Sequence, residues 1–94
     1  MKADVPYYEM KLFITGATPN SVKAVANIKN ICEKYFPDRY NLEVIDIYQQ
    51  PSLAKEEQII ALPMLLKYAP LPLKRFIGDM SDTNKVLKGL DYDF

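Results

Sequence analysis

The fold of this chain is decided where a strand gives way to a helix, in the stretch Leu12-Phe13-Ile14-Thr15-Gly16-Ala17-Thr18-Pro19-Asn20-Ser21. From Tyr8 onward the residues first alternate and then become continuously apolar, which predicts a strand over 8–16 inside a sheet covered on both faces. Thr18 predicts a helix N-cap, because its hydroxyl can accept from the amides that follow it. Pro19 suits the first helical position, since the N–H that it lacks would be unpaired there.

The predicted first helix carries an apolar stripe whose members recur at steps of three and four residues. They are Val22, Val25, Ala26, Ile28, Cys32, Tyr35 and Phe36. The helix should end before Pro37. A second strand is predicted over 41–48 from its β-branched residues, and because it follows a helical crossover, a right-handed parallel βαβ unit is expected.

The second half of the sequence leaves two arrangements open. Residues 51–60 predict a short helix, which Pro63 terminates. Residues 64–69 fit a helical pattern almost as well as a strand pattern. We favour a hairpin of 64–69 against 73–77, antiparallel to the first strand; a helix–loop–helix is the alternative.

The C-terminal residues predict a final helix. Ser81 can cap a segment that contains Val86, Leu87 and Leu90, with Gly89 near its last turn. The preferred order is therefore βαβαββα, an α/β fold with a four-stranded mixed sheet.

Composition narrows the function. Twelve basic and twelve acidic residues cancel, and they are scattered along the chain, so we expect no nucleic-acid partner. No run is long and apolar enough for a membrane span, and the N-terminus lacks the pattern of a signal peptide, so we expect a cytoplasmic protein. We expect one domain over residues 1–94, with residues 1–6 flexible.

Catalytic chemistry has little support in the sequence. The chain has no histidine, which removes the commonest general base and metal ligand, and it has one cysteine, which excludes an internal disulfide. The loop after the first strand is where a thioredoxin-like protein carries its Cys-x-x-Cys pair, and no cysteine lies there. Cys32 is expected to be a small buried hydrophobe in the helix. We therefore expect a thioredoxin-like scaffold that binds partners and is not an enzyme, with no cofactor.

These residues together resemble the KaiB family of clock proteins over about residues 8–91. The resemblance is carried by Lys11-Leu12, Gly16, Thr18-Pro19-Asn20-Ser21, Val44-Ile45-Asp46, Pro51, Leu53-Ala54, Pro63, Pro70, Pro72, Ile77-Gly78-Asp79, Val86-Leu87 and Gly89-Leu90-Asp91. It implies two folds: a ground state of order βαββααβ, usually a tetramer, and a monomeric thioredoxin-like state that binds the CI ring of the KaiC ATPase. Since Tyr68 and Phe76 favour the hairpin, we expect the thioredoxin-like state, with the ground-state tetramer as the alternative.

The resemblance also implies candidate residues. Those matching positions that influence the balance between the folds are Tyr8, Pro63, Pro70, Pro72, Gly89 and Asp91. Exposed charged residues expected to face KaiC are Lys55, Glu56, Glu57, Lys67, Lys74 and Arg75. Lys23 keeps a positive charge that is usually arginine in the family. Glu43 is an acid where clock-type members carry lysine in the region that engages KaiA, which argues against a KaiA-like partner.

Three other functions stay open at this stage. The chain could be a KaiB paralogue outside the core oscillator, or an adaptor resembling the sensor domain of the histidine kinase SasA. It could also be a single-thiol peroxidase or transferase, which would require a reactive Cys32.

Overall fold

The computed structural model describes residues 7–56 and 62–92 of the chain. Residues 1–6, which are predicted to be flexible, lie outside the described part, as do Glu57 and the other residues of the predicted helix from 58 to 60. Within the described part the elements are β1 (Tyr8–Ile14), α1 (Pro19–Tyr35), β2 (Tyr40–Asp46), α2 (Ser52–Glu56), β3 (Met64–Ala69), β4 (Lys74–Ile77) and α3 (Thr83–Gly89). The predicted order βαβαββα is confirmed.

The strands form one mixed sheet in the order β2-β1-β3-β4. β1 pairs in parallel with β2, where Leu12 lies opposite Val44, and antiparallel with β3, where Leu12 lies opposite Leu65. β3 and β4 form an antiparallel hairpin in which Leu65 faces Phe76. The predicted hairpin is therefore confirmed, and the helix–loop–helix is not the arrangement in this structure.

Both faces of the sheet are covered, as expected for β1. On one face α1 and α3 enclose a core that contains Leu12, Ile28, Leu65 and Leu87. We call this the α1/α3 face. On the other, Leu53 of α2 packs on a second cluster, whose buried members are Phe13, Ile45, Ile47, Met64 and Leu66. We call this the α2 face. The continuous apolar run of β1 is thus explained by alternate residues entering two different cores.

The start of α1 agrees with the prediction. The Ser21 N–H donates to Thr18 Oγ1 at 3.3 Å, and Pro19 occupies the first turn. The predicted stripe is wrong in part, because Val22 is 56% exposed and Ala26 is also exposed.

The residues that α1 buries are instead Ser21, Ala24, Ile28, Ile31 and Cys32. A step of two residues turns a helix by about 200°. Placing Ala24 and Ile28 against the sheet therefore sends Val22 and Ala26 outward.

Several predicted boundaries shift by one or two residues. The N-cap of α3 is Asp82, not Ser81: the Asp82 carboxylate accepts from the Lys85 N–H at 3.1 Å. Aspartate and serine are equally good caps, so the two neighbours could not be separated by type. β2 ends at Asp46 because the chain turns there, with the Gln49 and Gln50 N–H groups donating to the Asp46 carbonyl.

Candidate functional site

The chain that leaves α3 lies against the sheet, and three of the residues expected to influence the balance between the folds, Tyr8, Gly89 and Asp91, meet there. The Tyr8 hydroxyl donates to the Leu90 carbonyl at 2.8 Å. Lys74 Nζ lies 3.8 Å from Asp91 Oδ1. A Cβ placed on Gly89 would lie 2.2 Å from Cε2 of Phe76, so the backbone at 89 touches the phenyl ring. We call the contact of residues 89–92 with these strand residues the C-terminal seam.

The last turn of α3 closes as a Schellman motif. The Tyr92 N–H donates to the Leu87 carbonyl at 2.9 Å, and the Asp91 N–H donates to the Lys88 carbonyl at 3.1 Å. Asp91 occupies the left-handed position of this motif, with φ of +60°, where glycine is the usual residue. Gly89 is instead the last helical residue, where the close approach of Phe76 requires it.

Aromatic rings cover one end of the C-terminal seam. The rings of Tyr8 and Phe36 lie 4.4 Å apart between centroids, and those of Phe36 and Tyr92 lie 5.4 Å apart at an interplanar angle of 85°. Burial raises the pKa of the Tyr8 hydroxyl; Asp91 raises it further and Arg39 lowers it. Tyr8 is therefore a neutral hydrogen-bond donor, fixed between the core and the end of α3.

The prediction that Lys67 lies on an exposed surface is wrong. It is fully buried on the α1/α3 face, opposite Met10 in β1 and Lys74 in β4. Among the described residues no group accepts a hydrogen bond from its Nζ. Burial lowers the pKa of its ammonium, Asp91 raises it and Lys74 lowers it. The lysine faces inward because its neighbour Leu66 takes the opposite face of the strand.

The three candidate prolines lie at the two ends of the hairpin. Pro63 precedes β3, and its carbonyl accepts from the Gly78 N–H at 3.0 Å. Pro70 and Pro72 lie in the connection from β3 to β4, next to the pair of Lys67 and Lys74. The peptide bonds before all three prolines are cis.

The predicted partner-binding residues do not form one surface. Lys55 and Glu56 are exposed on α2. On the α2 face of the sheet, Glu43 lies opposite Lys11, and Arg75 lies opposite Leu66.

The remaining predicted binding residues lie on the other side. Lys74 is on the α1/α3 face, in its ion pair with Asp91. Lys23 is exposed on α1, close enough to lower the pKa of the Asp79 carboxyl, after the larger contribution of Ser81. Glu57 lies outside the described residues.

The β1–α1 loop is built without a thiol. The Asp46 carboxylate accepts from the Gly16 N–H at 3.0 Å and from the Tyr48 N–H at 2.9 Å, which ties this loop to the end of β2. Cys32 is fully buried, and burial, followed by Glu33, raises the pKa of its thiol to about 12. A neutral, enclosed thiol is a poor nucleophile, so its surroundings favour a packing role.

Two contacts of this site were missed from the sequence. In the sequence Phe76 supports only a strand, whereas in the structure its ring packs on Gly89. In the sequence Leu90 belongs to the apolar stripe of the helix. In the structure its carbonyl also accepts a hydrogen bond from the Tyr8 hydroxyl. Alternation along β4 could have placed Phe76 on the α1/α3 face; nothing local indicates the bond between Tyr8 and Leu90, which joins residues 82 positions apart.

Metal-binding clusters and membrane-spanning helices are both absent from residues 7–56 and 62–92. No group of three or more histidine, cysteine, aspartate and glutamate side chains there could hold a metal ion. No helix in that part of the chain has both the length and the apolar character needed to cross a bilayer.

Solved structures place the fold among the thioredoxins. The N-terminal domain of Synechococcus elongatus SasA superposes with a TM-score of 0.72 at 23% identity, covering 93% of this chain and 86% of that domain. Mitochondrial thioredoxin 3 of Saccharomyces cerevisiae superposes with a TM-score of 0.71 at 16% identity, covering 89% and 76%. The chain has a thioredoxin-like α/β fold, as predicted.

Sequence comparison is more specific than the fold. The KaiB domain profile matches residues 11–92, from within β1 to the last residue of the C-terminal seam. The circadian clock oscillator protein KaiB of Synechococcus elongatus is 52% identical over 84 residues, covering 89% of this chain and 82% of the relative. The chain therefore belongs to the KaiB family.

Proposed function

We propose that this chain is a non-enzymatic clock or signalling protein that binds the CI ring of a KaiC-type ATPase. The observation that carries the proposal is the combination of 52% identity to a KaiB clock protein with a thioredoxin-like arrangement. The family resemblance associates that arrangement with ATPase binding. The greater identity to KaiB than to SasA favours a KaiB-type protein over a kinase sensor domain.

The α2 face is the surface that we propose for the ATPase. Lys55 and Glu56 are exposed on α2, and Arg75 is exposed on β4, which is an edge strand of the sheet. Ile77, 55% exposed, lies on the same face as Arg75 and adds apolar area to it. Charged groups around an apolar patch are the usual composition of a protein-binding surface.

The proposed role requires no catalytic group from this chain. The loop between β1 and α1 is held by backbone groups and the Asp46 carboxylate, and the thiol of Cys32 is enclosed. Neither arrangement offers a reactive side chain at the surface.

The C-terminal half is proposed to be metamorphic, rebuilding between this fold and a ground state that is a tetramer or dimer. Its elements are short, since β4 has four residues and α3 has seven. Short elements bury little area, so an alternative packing need differ by only a few kcal/mol. Tyr8, Gly89 and Asp91 meet at the contact that such a change would break.

The binding proposal is tested by mixing the full chain with a KaiC-type hexamer and following co-elution over hours, so that any rearrangement before binding is complete. A charge reversal on the α2 face, Arg75→Glu, should weaken binding at least ten-fold. Lys29→Glu on the exposed side of α1 is the matched control and should leave binding unchanged. Absence of co-elution with the unmodified chain after long equilibration contradicts the proposal.

Glu43 supports a narrower alternative, a KaiB paralogue that works without a KaiA-like partner. It is exposed on the edge strand β2, opposite Lys11. Adding KaiA to the complex of chain and ATPase tests this: no further mass should join the complex. Formation of a ternary complex would return the chain to the core oscillator.

A further inference from the structure

The buried Lys67 ammonium has no function in the surfaces described above. It is one of two polar side chains in the described part of the chain that are buried; the other is Ser21, which accepts a hydrogen bond from the Thr15 N–H. Lys67 Nζ has no hydrogen-bond partner among the described residues. Leaving a buried charge unpaired is among the most destabilising arrangements in a protein interior.

The groups around Lys67 do not compensate for that burial. Lys74 lies opposite it on β4 and is like-charged. Asp91, after α3, attracts it, but that carboxylate already lies 3.8 Å from Lys74 Nζ. On β1 the facing residue is Met10, which cannot accept strongly, and Tyr8 directs its hydroxyl to Leu90. One carboxylate thus serves two ammonium groups.

The C-terminal seam lies at the same place. Lys67 is opposite Lys74, Lys74 pairs with Asp91, and Leu90 beside it is bonded to Tyr8. Residues 89–92 therefore lie beside the buried ammonium, since Asp91 raises its pKa and pairs with Lys74 opposite it. Their departure from the sheet would give the ammonium access to water.

We infer that Lys67 is a built-in destabiliser of the C-terminal seam, whose unpaired ammonium favours release of residues 89–92 from the sheet. This inference rests on the proposed metamorphic function and adds the group that regulates it. A lysine at this position keeps the thioredoxin-like arrangement easy to open, whereas an apolar residue would hold it closed.

Charge dependence follows from the same geometry. Burial lowers the pKa of Lys67 in the folded chain, so the unfolded chain binds more protons between that pKa and the ordinary lysine value. The loss of stability caused by the buried ammonium is complete at pH values below the pKa of Lys67 in the folded chain. It disappears as pH rises toward the pKa of Lys67 in the unfolded chain. Lys74, Asp91 and Tyr8 are the titratable groups that face this site and are unchanged in the comparison below.

The test is amide hydrogen exchange of the full chain with Lys67→Met, and with Lys85→Met on the exposed side of α3 as the matched control. The N–H groups of Leu90 and Tyr92 close the end of α3 and report opening of the seam. With Lys67→Met they should exchange about ten-fold more slowly than in the unmodified chain. With Lys85→Met they should be unchanged. Equal or faster exchange with Lys67→Met would overturn the inference.

Two further measurements keep the test decisive. The urea midpoint of Lys67→Met should exceed that of the unmodified chain at pH 7, and the gap should narrow as pH rises to the ordinary lysine value of 10.5; a gap that stays constant up to that pH overturns the inference. If the variant does not fold, the side-chain Cε resonance of Lys67 in the unmodified chain is titrated beside that of Lys85. A midpoint below that of Lys85 supports the inference, and one equal to or above it overturns it. All these measurements use the chain alone, so their failure would leave the ATPase-binding proposal untouched.

Discussion

Gly89→Ala is expected to destabilise this arrangement, although alanine is the better helix former. A Cβ at position 89 would lie 2.2 Å from Cε2 and 2.8 Å from Cζ of Phe76. Carbon atoms pack at about 3.5–4.0 Å, so the ring must move by more than about 1 Å. Phe76 is held opposite Leu65 in the β3–β4 ladder, which restricts its backbone.

The magnitude follows from two opposing effects. Overpacking of this kind costs about 1–3 kcal/mol. Exchanging glycine for alanine within a helix returns about 1 kcal/mol. The net expectation is a loss of about 1 kcal/mol, from the difference of these two contributions. A urea titration followed by far-UV circular dichroism measures it, since the chain has no tryptophan to report by fluorescence.

Repeating Gly89→Ala in a Phe76→Leu variant isolates the contact between position 89 and the ring of Phe76. Phe76→Leu removes Cε2 and Cζ, the two ring atoms closest to the Cβ that alanine would add at position 89. Leucine keeps two δ-carbons, and the Cδ2 atom of Phe76 lies 3.4 Å from that Cβ, which is close to an ordinary contact. In that background Gly89→Ala should stabilise the chain by about 1 kcal/mol, because only the helix preference remains. The change of sign is the diagnostic. If the substitution has the same effect in both backgrounds, Phe76 does not limit position 89 and the reasoning fails.

Three other outcomes are expected. Thr18→Ala should lower the free energy of unfolding by about 1 kcal/mol through loss of the N-cap, while Thr18→Ser should change it little; equal losses from both would contradict the cap. Tyr8→Phe leaves the Leu90 carbonyl without its buried donor and should lower the free energy of unfolding by about 1–3 kcal/mol. Tyr7→Phe at the surface is the control and should lower it by less than about 0.5 kcal/mol, and thermal melts compare the two variants. Because the pKa of the Cys32 thiol is raised from 9.0 to about 12, its contribution to stability is complete below pH 9 and is lost as pH rises toward 12. Alkylation of Cys32 at pH 8 should therefore proceed only as fast as the chain unfolds, and rapid labelling of the folded chain would refute this.

The sequence was sufficient to predict where the first helix begins, at the β1–α1 junction. Thr18 and Pro19 act on the first turn of their own helix, so the interaction lies within a few residues and is legible in the sequence. The same holds for Gly89 as the last residue of α3, which was expected near the last turn.

Helix phase was harder to predict. Val22 and Ala26 fit an apolar stripe, but the sheet selected the neighbouring one through Ala24, Ile28 and Ile31. A helix with apolar residues on more than one side offers two overlapping stripes. Only the surface against which it packs decides between them.

The hairpin after Pro63 illustrates the limit of periodicity. Residues 64–66 are all buried, and a fully buried segment has no alternation to separate strand from helix. Hydrogen bonding to β1, where Leu65 lies opposite Leu12, decided in favour of the strand.

By itself the sequence determined the order of the first three elements, the N-cap of the first helix, the absence of a thiol from the β1–α1 loop and the family. The tertiary structure alone decided that Lys67 is buried and that Tyr8, Gly89 and Asp91 meet. The physical reason is distance along the chain: the interactions of the first kind are made within a turn or a strand, whereas the bond from Tyr8 to Leu90 spans 82 positions. A lysine at position 67 indicates exposure by its type, and its burial is decided only by the elements that pack around it in the folded chain.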